Sequence, residues 1–196
     1  VRDPRLVVLA SGSGTNLQAL LDADDIGDLI VGVVSDRPTA TALVRARQRG
    51  VATHAIPMRR DRAAWEQELL ACVEGLSPDL VVLAGFMRVL SADFVDRWPT
   101  INVHPSLLPA FPGAHAIDDA LAWGVKISGV TVHFVDEFVD HGPIVAQEAV
   151  PVEPGDTPDT LHTRMQHVEH RLLPDVVRAW CAGRIHRDGR HVRIDE

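Results

Sequence analysis

Cysteine is almost absent from this chain. Only Cys72 and Cys181 occur among 196 residues, both inside helix-like runs. That excludes a disulfide framework and any C-x-x-C metal spacing, and the expected compartment is a reducing, cytoplasmic one. Long apolar runs are missing too. "VRDPRLVVLASGSG" offers about five apolar residues before its glycines begin, too few for a signal sequence or a membrane span, and no other stretch approaches the roughly 20 that a spanning helix needs. A basic excess is also lacking, since Asp plus Glu total 27 against 19 Lys plus Arg, a net charge of −8. Binding to a nucleic-acid backbone rests on clustered Lys and Arg, so a nucleic-acid partner is disfavoured, while single basic residues can still hold one small anion. No linker, repeat or low-complexity segment interrupts the chain. With 46% hydrophobic residues it can bury a sizeable core, and residues 1–196 are read as one domain with two halves, 1–98 and 99–196.

What is present is an alternation. Leu6 to Ala10, Leu29 to Val34, Leu80 to Ala84 and Ile101 to Val103 are short apolar runs that predict strands buried on both faces. Between them lie the amphipathic segments "NLQALLDA", "TATALVRARQRG" and "DRAAWEQELLACVEGL". Gly50 and Gly75 fall where helices should end, and Ser91 in "SADF" is placed to cap the start of another. From residue 127 the rhythm changes. "ISGVTVHFV" and "PIVAQEAVPV" are alternating strands separated only by "DEFVDHG", too short for a crossover helix, so they should pair antiparallel. A long helix is expected from "TPDTLHTRMQHVEHRLL", broken or kinked before Pro174, and then a hairpin turning about Asp188-Gly189. The class is α/β: a Rossmann-like, doubly wound, mostly parallel sheet with antiparallel C-terminal strands and a C-terminal helix.

"LVVLASGSGTNLQALL" reads as strand, glycine loop and helix. Gly12 and Gly14 allow close backbone approach to an anion, and the N–H groups of Gly14, Thr15 and Asn16 would lie at the positive end of the following helix. The third glycine of the dinucleotide fingerprint is missing, and so is the Lys-Ser/Thr pair of a P-loop. A single phosphate is therefore the favoured ligand; the alternative is a tight turn that merely needs two glycines.

"INVHPSLLPAFPGAH" places Asn102 and His104 on one face of an extended chain and Ile101 and Val103 on the other. Pro105, Pro109 and Pro112 then stiffen the loop. Asp140 lies in the connection between the two late strands, and if those strands adjoin the Asn102 strand its carboxylate can reach His104. An amide, an imidazole and a carboxylate without a Ser or Cys nucleophile suit direct acyl transfer between two bound substrates. Ser106 lacks the G-x-S-x-G elbow of a covalent hydrolase. His162, His167 and His170 decorate the long helix; His167-x-x-His170 could place two rings on one face as metal ligands, but no third ligand has convincing spacing, so no metal is expected. His186 and His191 flank a surface hairpin. Trp65, Trp123 and Trp180 fall at core-like helical positions and are read as packing.

Taken together, "SGSGTNLQAL", "VVLAGFMRVLS", "INVHPSLLPAFPGAHA", "TVHFVDE", "VDHGPIVAQ" and "VEHRLLP" resemble, in order and spacing, the phosphoribosylglycinamide formyltransferase family over essentially the whole chain. The resemblance implies formyl transfer from 10-formyltetrahydrofolate to the amine of glycinamide ribonucleotide, without a metal. It also implies roles. Asn102, His104 and Asp140 match the catalytic trio. Gly14, Thr15 and Asn16 match the phosphate loop, and Glu169 matches an acidic residue facing the glycinamide part. Met87, Arg88, Val89 and Leu90 match the segment along which the folate head group binds, with Asn102, Asp136 and Glu137 also lining it and Arg62 nearby. His115 matches the His of a P-G-x-H turn. Two positions depart from the pattern: Phe138, where the family is often small, and His141, where Gly or Thr usually follows the Asp.

Small molecules are thus the implied partners, with no nucleic acid and no membrane, and a homodimer is compatible with the sequence although no apolar stripe marks an interface. The rival enzymes share the folate half. Methionyl-tRNA formyltransferase is expected to add a C-terminal RNA-binding domain and formyltetrahydrofolate hydrolase an N-terminal regulatory domain, and the acidic 196-residue sequence shows neither. A rival of another class is a non-catalytic nucleotide- or folate-binding module, in which the Asn-His-Asp set would be accidental.

Overall fold

The structure, a computed structural model, describes residues 2–195. Two compact units divide between Ile101 and Asn102.

The first unit is built on β1 (Leu6–Leu9), α1 (Thr15–Asp22), β2 (Ile30–Ser35), α2 (Thr41–Gln48), β3 (Thr53–Ala55), α3 (Arg62–Leu76), β4 (Leu80–Leu83) and α4 (Ala92–Arg97). Its strands lie in the order β3-β2-β1-β4, all parallel. β1 and β4 share the sequence LVVL, every residue of it buried, and pair from Leu6↔Leu80 to Leu9↔Leu83. A parallel strand covered on both faces needs such an unbroken apolar run, which is why these strands were readable. β3 was not read: it is three residues long and only partly covered, so it carries no apolar run.

Helix ends follow their local chemistry. Ser91 Oγ accepts the Phe94 N–H at 3.3 Å, as expected of a cap, and Asp61 Oδ1 accepts the Ala64 N–H at 3.1 Å at the start of α3. Gly50 follows α2 at φ 73°. Gly75, expected at a helix end, instead lies inside α3, and Ser77 takes the left-handed position at φ 49°.

β5 (Thr100–His104) crosses the division. The second unit continues with α5 (Ala116–Trp123), β6 (Ile127–Phe134), β7 (Ile144–Pro151), α6 (Pro158–Cys181), β8 (Ile185–Asp188) and β9 (His191–Ile194). Its strand order is β5-β6-β7, with β6 and β7 antiparallel as expected. The chain is therefore α/β, mostly parallel, with antiparallel strands towards the C-terminus.

Two local expectations change. α6 runs through Pro174 without a break over 24 residues. Thr157 and Thr160 form a reciprocal capping box at its start, and buried Leu161, Met165, Leu173, Val176 and Val177 anchor it on both sides of the proline. That packing offsets the lost backbone hydrogen bond. The β8–β9 turn is centred on Gly189 and Arg190 rather than Asp188-Gly189, because Asp188 pairs with His191 and Gly189 takes φ 58° at the first turn position.

The tryptophans divide. Trp65 is fully buried and donates Nε1–H to Ile56 O at 2.9 Å, and Trp180 is half-buried. Trp123, expected in the core, is 79% exposed. It shares a helical face with buried Ala116 and Ala120, but it is the last residue of α5 before Gly124 turns the chain at φ 69°. Trp65→Ala is expected to cost about 3–5 kcal/mol and Trp123→Ala no more than about 0.5 kcal/mol. Urea unfolding of both variants at neutral pH measures the contrast.

Candidate active site

In the first unit the β1–α1 loop presents an uncapped helix start. Gly14 is the N-cap of α1 at φ 72°, no side chain caps it, and no acidic residue occupies the first turn. The backbone N–H groups there lie at the positive end of the helix, which favours an anion. Glycine is required twice over: a Cβ at residue 14 would sit 2.7 Å from Ala42 Cα in α2, and the positive φ penalises any side chain. α2 is held this close by the Ala42 N–H, which donates to Gly12 O at 3.1 Å. Thr15 is half-buried and Asn16 nearly buried. Arg45, which the sequence reading did not single out, donates Nε–H to Ser13 O at 2.8 Å and Nη1–H to Gln18 Oε1 at 3.1 Å. A guanidinium thus lies against the loop.

The segment after β4 is pinned at four points. Met87 N–H donates to Ser11 Oγ at 2.9 Å, Arg88 Nε–H to Asp36 Oδ2 at 2.6 Å, Arg62 Nη2–H to Val89 O at 2.7 Å, and Ser91 N–H to Glu66 Oε1 at 2.9 Å. Arg62 and Met87–Leu90, expected together, are together. Met87 and Val89 expose 58% and 46% of their surface, while Leu90 is buried. The Arg88 guanidinium is turned onto Asp36, whose side chain is completely buried. Breaking such a buried pair from one side strands a charge and typically costs about 3–5 kcal/mol. Ser11, Asp36 and Glu66 escaped the sequence reading because each lies far along the chain from the segment it holds.

In the second unit the period-2 alternation of β5 holds, and Asn102 and His104 share a face. Asp140 gathers them. Its Oδ2 accepts the Gly113 N–H at 2.7 Å and lies 3.4 Å from His104 Nδ1. Its Oδ1 lies 3.5 Å from Asn102 Nδ2 and 3.7 Å from His133 Nε2. The expected trio is therefore assembled, and His133 joins it. His133 sits two residues after Thr131 on β6, so both point to the same face. Thr131 ties down the proline loop, donating to Ser106 O at 2.7 Å and accepting the Leu108 N–H at 3.1 Å. The alternation in "TVHF" gives the face on which His133 lies but not that this face meets Asp140.

The proline loop has a defined task. Phe111, at φ 51°, brings its carbonyl within 2.9 Å of His104 Nε2, which donates to it. Ser106 Oγ donates to Ala110 O at 2.6 Å, a tie within the loop rather than the posture of a nucleophile. His133 Nδ1–H donates to Phe134 O at 2.8 Å, leaving Nε2 towards Asn102 Nδ2 at 3.2 Å. A neutral His133 accepts there from the amide; a protonated one offers a proton to Asp140. Burial raises the Asp140 carboxyl, but the hydrogen bonds from His133 and the Gly113 N–H, with the charges of His104 and His133, outweigh it and hold the group below its ordinary value.

Asp136 and Glu137 lie in the same 135–142 loop but do not touch the trio. Asp136 accepts the Phe138 N–H at 3.0 Å and faces His141 Nδ1 at 2.7 Å, and Glu137 is exposed. Glu169 is buried in α6, and His115 is the exposed N-cap residue of α5. Among the described residues, no group of three His, Cys, Asp or Glu could hold a metal ion, and no helix is long and apolar enough to cross a membrane.

Comparison with known proteins places the chain in a family. Residues 4–177 match the formyl transferase family model. A phosphoribosylglycinamide formyltransferase of Mycobacterium tuberculosis is 46% identical over 97% of this chain and 94% of its own length. One from Escherichia coli is 42% identical over 92% and 88%. The crystal structure of glycinamide ribonucleotide transformylase 1 from Symbiobacterium toebii superposes with a TM-score of 0.94 at 44% identity, covering 99% of this chain and 95% of that one. With a family model spanning most of its length and relatives this similar, the chain belongs to the formyl transferase family.

Proposed function

We propose that this enzyme transfers the formyl group of 10-formyltetrahydrofolate to the amine of glycinamide ribonucleotide in purine biosynthesis, giving the N-formyl product and tetrahydrofolate. The observation that carries the reading is the Asn102–His104–Asp140 cluster, which supplies donors and a carboxylate but no nucleophile. The named activity of relatives at 42–46% identity supports it.

Each residue then has a task. Gly14, Thr15 and Asn16 bind the substrate phosphate, helped by the uncapped start of α1, and Glu169 faces the glycinamide part. Met87–Leu90, fixed by Arg62, Ser11, Asp36 and Glu66, offer a rigid backbone with two exposed apolar side chains, which suits a flat folate head group; from the second unit, Asp136, Glu137 and Asn102 are assigned to folate binding by the family resemblance. Holding the amine and the formyl carbon in contact supplies much of the acceleration, up to roughly 7–11 kcal/mol.

Amine attack on the formyl carbon makes a tetrahedral oxyanion. Asn102 Nδ2 and a protonated His104 donate to it. Before attack these donors face protein acceptors: His104 Nε2 faces Phe111 O, and Asn102 Nδ2 faces His133 and Asp140. The oxyanion is a stronger acceptor than the Phe111 carbonyl for His104, and for Asn102 it replaces a long 3.5 Å contact with Asp140. Asp140 remains ionised, 3.4 Å from His104 Nδ1, and assists the proton on its way from the attacking amine to the departing folate nitrogen.

Formyl transfer measured side by side with glycinamide ribonucleotide, tRNA and water as acceptors tests the proposal. The ribonucleotide should be preferred by orders of magnitude; preference for tRNA or water replaces it with one of the rival activities, and binding without turnover replaces it with a binding module. His104→Ala should lower kcat by about 10²–10³, the usual cost of one oxyanion donor, when both substrates are saturating in single-turnover kinetics.

Gly14→Ala should weaken the ribonucleotide far more than the folate. Calorimetric titration of each ligand separately checks this, and equal losses would contradict the phosphate assignment.

Asp140 ionises more readily folded than unfolded, so its environment stabilises the fold at neutral pH. That share is lost only as pH falls through the ordinary carboxylate range toward the lowered folded value. The stability difference between wild type and Asp140→Asn should therefore shrink between about pH 5 and about pH 2, as urea unfolding at the two pH values will show.

A further inference from the structure

We infer that Arg190, at the tip of the β8–β9 hairpin, is a positioning residue for the loop that carries Asp140. The inference rests on the catalytic role proposed for Asp140.

The loop 135–142 needs such support. Asp140 holds φ 50°, a conformation that side-chain-bearing residues adopt at a cost and keep only where the surroundings impose it. Inside the loop, Asp136 holds the Phe138 N–H and the His141 ring, and the Phe138 and His141 rings meet edge to face at 5.4 Å between centroids. At its base, Phe134 N–H donates to Pro143 O at 2.8 Å. A Cβ at Gly142 would lie only 1.9 Å from Phe134 O, so the two stems close on each other where only glycine fits.

The hairpin reaches both stems. Arg187 places its guanidinium 5.7 Å from the centre of the Phe134 ring and anchors itself by Nε–H to Gly189 O at 3.0 Å. Arg190 donates Nη2–H to His141 O at 2.8 Å, and its Nη1 lies 3.5 Å from His141 Nε2. His141 follows Asp140 directly, so Arg190 fixes the peptide that leaves the proposed catalytic residue. Gly189, at φ 58°, makes the tight turn that sets Arg190 there. His141 stands where the family resemblance implies Gly or Thr. The bond to its carbonyl needs no particular side chain, whereas the contact with its ring needs the imidazole.

A surface hydrogen bond that only adds stability would leave turnover unchanged, so kinetics separates the two roles. Arg190→Ala, Arg190→Lys, Arg193→Ala and Asp140→Asn are compared in the full chain, each with its unfolding curve, kcat, and KM for each substrate. Arg193 belongs to the same hairpin but pairs with Asp195. Arg190→Ala should lose about ten- to a hundredfold in kcat, the cost of an ångström-scale misplacement, with KM for the ribonucleotide unchanged. Arg190→Lys should recover most of it, because an ammonium can donate to the same carbonyl, and Arg193→Ala should behave as wild type.

Wild-type kcat in Arg190→Ala beside an inactive Asp140→Asn overturns the inference and leaves the catalytic reading intact. Wild-type kcat in Asp140→Asn overturns that reading itself. If Arg190→Lys is as slow as Arg190→Ala, or Arg193→Ala is equally impaired, a donor at 190 is not what the loop requires and the inference fails. Should Arg190→Ala not fold, Arg190→Lys decides alone, near-wild-type kcat supporting the inference and a slow enzyme overturning it.

Discussion

A largely buried carboxylate organises the second unit. Asp140 stands where residues distant in the chain converge: Asn102 and His104 from β5, Gly113 from the proline loop, and His133 from β6. Burying a charge is costly unless it is paired and hydrogen-bonded. That requirement accounts for features that look unrelated in isolation. The proline loop must return so that the Gly113 N–H can reach Oδ2, and on the way it brings the Phe111 carbonyl to His104. His133 must be anchored through Nδ1 so that its other nitrogen faces the amide and the carboxylate. Asp140 itself must take a left-handed backbone.

The first unit solves a different problem, how to present backbone. Around Gly14 the removal of a side chain lets α2 come close and leaves the start of α1 uncapped. Between Gly85 and Ser91 the opposite device is used: side chains of Ser11, Asp36, Arg62 and Glu66 clamp an irregular segment. In both places the irregular chain is held rigid by neighbours, which reduces the ordering that a ligand would have to impose.

Much of this was legible in the sequence, and what was not has a physical reason. β1, β2 and β4 could be read because two-sided burial forces apolar runs. Asn102 and His104 could be read because a strand's period of two keeps alternate residues on one face, and Asp140 because a short antiparallel connection confines where its loop can go. His133 was hidden in a strand that reads as ordinary alternation; only the three-dimensional neighbourhood distinguishes a polar core residue from a member of a site. Asp36, Ser11 and Glu66 act across dozens of residues and leave no local pattern. Trp123 shows the limit of periodicity, which gives a face but not how far the neighbouring elements extend to cover it. Pro174 shows the limit of propensity, since packing on both sides of it carries α6 through.

Asp140 is an ionised carboxylate held in place by its neighbours. Carbon-13 NMR titration of the Asp140 carboxyl in the full chain tests it directly. The midpoint should lie below the ordinary aspartate range and move upward when His133 is replaced by Asn and the hydrogen bond and charge of the imidazole are lost. A midpoint above the ordinary range, unchanged in His133→Asn, would mean that burial dominates and Asp140 is protonated far more readily than its neighbours allow, which would contradict the account.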